Sequence, residues 1–237
     1  MEETHGSLYD YPKYYDLVYG SDSKAELDFL RACMQKHARR PVRRIFEPAC
    51  GTGRLLVKLA ETGFHVAGND LSARAVDYCN ARLARHGFPA TAVVGDMSNF
   101  RLRRRVDAGF NMINSFRHLT SQRSALEHLG CVSRALAKGG IYVLGLHLTP
   151  TVGTPIDQES WSAQRGHLAI VSHMWTKRLN RRLRVETVGW MLKVYTPKRA
   201  FRLYDQFDFR TYTFRQFADL ARGVEDLRVI ATYDFAY

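Results

Sequence analysis

The sequence predicts an α/β fold: a mostly parallel sheet with helices on both faces, followed by an antiparallel β insertion. Three observations carry that expectation. Short apolar runs alternate with amphipathic stretches through residue 148, the pattern of successive βαβ units. A tight glycine turn, Gly51-Thr-Gly53, joins the first such run to the amphipathic stretch behind it. Beyond Pro150 the segments become long, β-branched and aromatic, with short turns between them, which is antiparallel patterning.

The elements follow in order. Ser23-Lys-Ala-Glu26 reads as a capping box opening a helix with Leu27, Leu30 and Met34 on one side. A strand at 43–47, the glycine turn and a helix at 54–61 come next, with Gly63 ending the helix. A second strand at 65–69 leads to a helix capped by Ser72 and running to 85. Strands at 91–94 and 106–112, a helix at 121–137 and a strand at 141–148 complete the alternation. The antiparallel strands fall at 167–176, 183–195 and 199–209. Thr213-Phe-Arg-Gln216 is a second capping box, opening a helix to 222, and 227–235 reads as a last strand. The whole is read as one domain: an N-terminal helical segment (1–40), a ligand-binding core (41–148), the insertion (150–212), and a return to the core sheet (213–237).

Composition sets the outer bounds. With 46% hydrophobic and 24% charged residues, the chain is neither disordered nor fibrous. No apolar stretch approaches about 18 residues, so no membrane span is expected. The polar, Tyr-rich N-terminus has no signal-peptide pattern. Cys33, Cys50, Cys79 and Cys131 lack CxxC spacing and read as free thiols of a cytoplasmic protein. Cys50 reads as a small apolar residue without a neighbouring thiol. No His/Cys/Asp/Glu set has metal-ligand spacing, so no metal is expected. Lys and Arg outnumber Asp and Glu 35 to 23, a net charge of +12. The basic runs at 39–44 (RRPVRR), 101–105 (RLRRR) and 177–184 (KRLNRRLR) read as solvated turns. They come with no nucleic-acid-binding motif, so only weak, salt-sensitive, sequence-independent binding is expected of them.

The glycine turn carries the chemistry. Its glycines allow a sharp turn and close approach of a ligand, and the following helix directs its free N–H groups there. Asp70, at the end of the second strand, can accept hydrogen bonds from ribose hydroxyls. The third glycine of a dinucleotide fingerprint is absent, since Leu56 stands in its place. Glu47 instead ends the first strand, where a carboxylate meets a cationic amino group. A ligand with an ammonium, a carboxylate and a ribosyl adenine suits this set.

Glu47-Pro-Ala-Cys-Gly-Thr-Gly53 resembles the first motif of class I S-adenosylmethionine (SAM)-dependent methyltransferases. Val94-Gly-Asp-Met97 resembles their adenine-binding turn, residues 106–119 their fourth strand and methyl-facing loop, and Ala137-Lys-Gly-Gly140 their turn into strand five. Tyr15-Asp16-Leu17-Val18-Tyr19 is similar to a segment of the small-molecule branch that includes sugar amine N-methyltransferases, where it folds over the cofactor. The resemblance implies a Rossmann-like, seven-stranded, mostly parallel sheet. It also implies a SAM site of Tyr15, Tyr19, Glu47, Ala49, Gly51, Gly53, Asp70, Leu71, Asp96, Met97 and Asn114, with S-adenosylhomocysteine as product.

The acceptor is expected to be a small molecule, anionic if Arg117 pairs with it, offering an N or O nucleophile. His118 and His147 lie at the rim and suit a general base. Tyr14 and the insertion, with Trp161, His167, Trp175 and Trp190, would roof the pocket as a lid. Other readings are an RNA or protein methyltransferase using the basic runs, a non-catalytic SAM-binding regulator and, more distantly, a nicotinamide oxidoreductase.

Overall fold

The computed structural model describes residues 2–20, 23–152 and 157–234. Five parallel strands form the first sheet: β2 (Arg44–Pro48), β3 (His65–Asp70), β4 (Ala92–Val94), β5 (Val106–Asn111) and β6 (Leu136–Leu144), in spatial order β4-β3-β2-β5-β6. The chain builds outward from β2 through β3 and β4, then returns to lay β5 on its other side. That reversal opens a crevice at the carboxyl ends of β2 and β5, where open α/β sheets take their ligands.

The helices of this sheet are α2 (Lys24–His37), α3 (Arg54–Glu61), α4 (Ala73–Arg85) and α5 (Gln122–Ala135). On one face Leu30 and Met34 of α2, Leu55, Leu56 and Leu59 of α3, and Val76 and Leu83 of α4 pack on Ile45 and Phe110. On the other, Val132 of α5 meets Phe46, Val106 and Leu136. Fully burying each such side chain contributes about 1.5–3 kcal/mol, which drives these short amphipathic helices onto the sheet. Ser72 caps α4 through the backbone N–H of Ala75.

A second sheet is ordered β1-β10-β9-β8-β7, from β1 (Glu2–His5), β7 (Gln158–Arg165), β8 (Leu168–Asn180), β9 (Val185–Tyr195) and β10 (Ala200–Arg210). Only β1 joins parallel, on β10; the other pairs are antiparallel. Ile170, Trp190, Leu192, Val194, Phe201 and Leu203 on its inner face bury Leu8 and Leu17 of the N-terminal segment. Leu17 lies on α1 (Pro12–Tyr19).

These sheets correct several expectations. The described residues form two sheets of five strands, not one sheet of seven. The segment expected as a last strand forms none over 227–234, and Phe235 lies outside the described residues. Tyr233 goes instead to α2, where its hydroxyl meets His37 Nε2 at 2.7 Å and its ring packs edge-on against Phe29. So the tail adds no strand over 227–234, although its Leu227 packs on Phe46, Val106 and Leu136 of the first sheet; α6 (Phe214–Arg222), opened by a complete Thr213–Gln216 capping box, packs its Leu220 beside Leu129 of α5. The helix expected to reach 137 stops at Ala135, and β6 starts at Leu136. Strands β1 and β7 were not anticipated. Ser23 precedes α2 without a side-chain capping bond, and the Glu26 carboxylate, the other half of the expected box, is taken by Arg54. Of the expected insertion, residues 153–156 lie outside the described residues.

Asp16 locks α1 in place. Its carboxylate, 2% exposed, accepts from Arg82 and Tyr78 of α4 and from Arg165 of β7. One buried acid therefore joins the N-terminal segment, the first sheet's helical layer and the second sheet. Asp16→Ala leaves Arg82 and Tyr78 without their acceptor, and breaking a buried pair this way costs about 3 kcal/mol. Equilibrium urea unfolding should show that loss. A change under about 1 kcal/mol would mean that the three groups are solvated well enough without it.

Candidate active site

The site grows from the end of β2. Ala49, Gly51 and Gly53 take left-handed φ values of 54°, 53° and 68°, which only glycine adopts freely. A Cβ on Gly51 would meet nothing within 4 Å, so the turn opens there onto ligand space. A Cβ on Gly53 would lie 2.3 Å from Cys79 Sγ, so the turn is pressed onto α4. Gly53 caps α3 with no side-chain bond, and the first N–H groups of that helix remain for a ligand. Arg54 is held in a two-pronged pair by Glu26.

Glu47 is buried at the end of β2 and its Oε2 has no hydrogen-bond partner among the described residues. Burial pushes its pKa well up, and Arg54 offsets this only in part. Three further buried oxygens beside it are also unpartnered among the described residues: Thr52 Oγ1, Asn69 Oδ1 and Asn111 Oδ1. Asn69 and Asn111 spend their amide nitrogens on Asp96 O and Pro48 O. Buried acceptors are normally satisfied. Four orphans at adjoining strand ends fit a ligand that brings its own donors.

Asp70 ends β3. Its Oδ2 accepts from Gly51 N at 2.8 Å and its Oδ1 from Ser72 N at 2.9 Å. Burial raises its pKa, and those two backbone bonds pull it back. Each carboxylate oxygen keeps a second lone pair for a hydroxyl. The Asp70–Val94 register places the next turn alongside, and Gly95 N donates to Asp70 O. There Asp96 caps a turn, its Oδ1 accepting from Ser98 N and Oγ at 2.7 Å each. Met97 is packed in a core cluster with Phe116 and Leu129. Leu71 is 71% exposed beside Asp70, an uncovered apolar surface at the rim.

The loop after β5 supplies the other wall. Ile113 and Asn114 hold φ values of 54° and 65°, strain of a kind that concentrates at working sites. Asn114 Oδ1 accepts from His147 N at 2.7 Å, and its amide lies 3.2 Å from His147 Nδ1. His118 Nε2 lies 2.9 Å from the Tyr9 hydroxyl, with Phe207 and Phe209 of β10 against its ring. Burial, with a lesser push from Arg117, lowers the His118 pKa to about 4. Arg117 does not face the crevice chemistry. Its guanidinium pairs with Glu186 of β9 and donates to Arg210 O, so its charge is neutralised within the protein.

Tyr9, Tyr15, Tyr19, Trp190 and Phe207 form one aromatic cluster above this wall. Burial raises Tyr15 to about 12 and Tyr19 further, so both stay neutral phenols. Of the insertion aromatics, Trp190 joins the cluster and anchors its Nε1 on Ser172 Oγ at 2.8 Å. Trp161 meets Tyr19 edge-on, Trp175 stacks on His173, and Tyr14 packs on Phe201.

Sequence reasoning missed Tyr9, Thr52, Asn69 and Asn111. A signal existed for the two asparagines: each is a polar residue in the last apolar stretch of a central strand. Cys50 is also corrected, since the Cys79 thiol neighbours it beneath the turn. All four cysteines are free and buried. No helix among the described residues is long and apolar enough to cross a membrane.

Residues 45–140 match a family model described as a methyltransferase domain. This stretch is therefore similar to a methyltransferase domain. The match takes in β2 to the start of β6, including the glycine turn, Asp70 and the loop after β5. Curated relatives of the methyltransferase domain agree. A glycine/sarcosine N-methyltransferase of Halorhodospira halochloris is 33% identical over 135 residues, 56% of this chain and 49% of that protein. A putative methyltransferase, YqeM of Bacillus subtilis (strain 168), is 26% identical over 133 residues, 56% of this chain and 52% of that one. The chain thus spans about half the length of these relatives.

Solved methyltransferase structures share the fold over nearly the whole chain. DesVI of Streptomyces venezuelae superposes with a TM-score of 0.77 at 20% identity, covering 92% of this chain and 89% of DesVI. The sugar N-methyltransferase KedS8 from a Streptoalloteichus species gives 0.75 at 20%, covering 92% and 83%. SAM-bound CalS10 of Micromonospora echinaspora, an amino pentose methyltransferase, gives 0.73 at 20%, covering 92% and 90%. The fold shared with these structures, the sugar N-methyltransferase KedS8 among them, therefore extends beyond the matched domain into the second sheet.

Proposed function

We propose that this methyltransferase uses SAM to methylate a nitrogen or oxygen nucleophile of a small molecule. The observation that carries the reading is the set of orphaned oxygens around the glycine turn, Glu47 Oε2 foremost. When bound, SAM supplies a methyl group already activated on a positive sulfonium. Glu47 holds the ligand's ammonium, Asp70 its ribose hydroxyls, and Asp96 the adenine amino group. Leu71 and Met97 flank the ring, and the backbone of Ala49, Gly51 and Gly53 lets it approach. Tyr15 and Tyr19 close over it. The N-terminal segment and the second sheet act as the lid, and Arg117 with Glu186 fastens that lid to the loop after β5. Asn114 and His147 brace the same loop.

The aromatic cluster excludes water and presents few polar groups, which suits a small acceptor. A nitrogen acceptor is favoured, since two of the named proteins, the glycine/sarcosine enzyme and KedS8, are N-methyltransferases. His118 then acts as a hydrogen-bond acceptor, together with Tyr9, rather than as the base the sequence suggested. Taking a proton from an amine with a pKa of about 8 onto a group at about 4 is uphill by roughly 5 kcal/mol. The nucleophile must arrive neutral, and His118 and Tyr9 orient it.

Transfer of labelled methyl from SAM to a panel of small amines and hydroxy compounds tests the function. Tight SAM binding with no transfer to any component of an extract would favour a regulator instead. With an acceptor in hand, His118→Ala should lower kcat about tenfold and leave SAM affinity unchanged. The acid limb of kcat/KM should stay at the acceptor's own pKa. A loss of about 10² or more with a displaced limb would restore His118 as the base.

A further inference from the structure

Two of the three basic runs, distant in sequence, meet at the opposite end of the first sheet. There a cavity of about 590 Å³ is lined by Arg40, Arg43, Arg44, His65, Arg104 and Asp107, with Pro41. Arg44 opens β2, His65 opens β3, and Arg104 leads into β5. The cavity therefore sits at the amino ends of the three central strands whose carboxyl ends carry the glycine turn. Four steps along β2 at about 3.3 Å each separate the two by roughly 13 Å.

Asp107 is the scaffold rather than a competitor for an anion. Its Oδ2 accepts from Arg43 N and Arg44 N at 2.9 Å each, and its Oδ1 faces Arg40 Nε at 2.8 Å. Those contacts hold its pKa down against the effect of burial. One carboxylate thus stands against four guanidiniums. Among the described residues the side chains of Arg43, Arg44 and Arg104 make no hydrogen bond or ion pair, and Arg44 Nε is buried without a partner. Gathering unpaired guanidiniums around one concavity costs energy that a multiply charged anion relieves. Their forked donors match phosphate oxygens.

We propose that this cavity binds a compact oligophosphate, a di- or triphosphate group held by Arg43, Arg44 and Arg104. The volume is that of a small-molecule pocket. The third basic run lies in the second sheet and does not line the cavity, so no stripe is built for a nucleic-acid backbone.

Calorimetry at about 0.15 M salt, with inorganic triphosphate, ADP and a short single-stranded RNA as separate probes, tests this. Triphosphate should bind the wild-type protein. ADP binding that is tighter than triphosphate and falls at least about tenfold in the double variant R43E/R104E would assign the group to a nucleotide, and tighter triphosphate to a free oligophosphate; ADP binding unchanged in that variant would belong to the crevice at the glycine turn and would count against a nucleotide here. The double variant R43E/R104E replaces two exposed side chains and should weaken triphosphate by at least about tenfold. Its melting temperature and SAM affinity should be unchanged. R181E/R182E, with the same charge change in the exposed β8–β9 turn, should weaken it less than about twofold. Equal losses in the two doubles, no triphosphate binding, or RNA held more tightly than triphosphate would each overturn the proposal.

Discussion

Gly53→Ala should lower SAM affinity by about 10² or more while leaving the secondary structure in place. The new Cβ would lie 2.3 Å from Cys79 Sγ and 3.3 Å from its Cβ. Cys79 is fully buried on α4, among Leu55, Leu83 and Val76, and close-packed surroundings give it nowhere to go. The turn must move instead. The φ of 68° adds about 1–2 kcal/mol for a residue with a Cβ. A shift of the turn misplaces the Gly51 N–H that Asp70 holds at 2.8 Å, and with it the geometry any adenosyl ligand needs. Cys79→Ala supplies the control. In the Gly53→Ala/Cys79→Ala variant the sulfur contact is gone and the dihedral strain stays, so affinity should recover to within about tenfold of wild type. Calorimetry on the four proteins of this cycle gives the coupling directly. A double variant no better than Gly53→Ala alone would show that the sulfur is not what the glycine avoids.

That pairing marks the limit of what a sequence shows. The glycine turn, Glu47 and Asp70 were legible because strand, turn and helix are contiguous and their chemistry follows from spacing. The parallel strands were legible because β2 and β5 are buried on both faces. Strands β1 and β7 were not: EETH and QESWSAQR lie at sheet edges and are mostly exposed, so no burial imposes a period of two. Residues 227–234 misled for the converse reason. An apolar run says that a segment seeks cover, not which surface gives it, and Tyr233 found α2. Glu26 fitted a capping box locally, yet Arg54 outcompetes the backbone for its carboxylate. Long-range partners decided the rest. Arg117 is neutralised by Glu186, and His118 is buried by Phe207 and Phe209, contacts that spacing along the chain cannot encode.

Glu47→Gln should make the ligand-free protein more stable and yet a poor binder of SAM. Glu47 is buried with an oxygen that has no partner among the described residues, and burial holds its pKa well above the usual carboxylate range. A folded-state value raised above the unfolded one favours the neutral form. The stability tied to it is complete below the unfolded pKa and is lost as pH rises through the folded value. The amide has no such loss. The melting-temperature advantage of Glu47→Gln should therefore widen as pH rises through that raised value, then level off. An ammonium beside Oε2 reverses the sign, because it draws the carboxyl into its charged form. SAM binding below the raised value should then release a proton, visible as a dependence of calorimetric enthalpy on the ionisation enthalpy of the buffer. The variant should show no release, and it should lose about 10²-fold in affinity, the effect of leaving one member of a buried charge pair alone. If the variant bound SAM as tightly as wild type, with equal proton release and no gain in melting temperature, Glu47 would be a structural residue and the ammonium would belong elsewhere in the crevice.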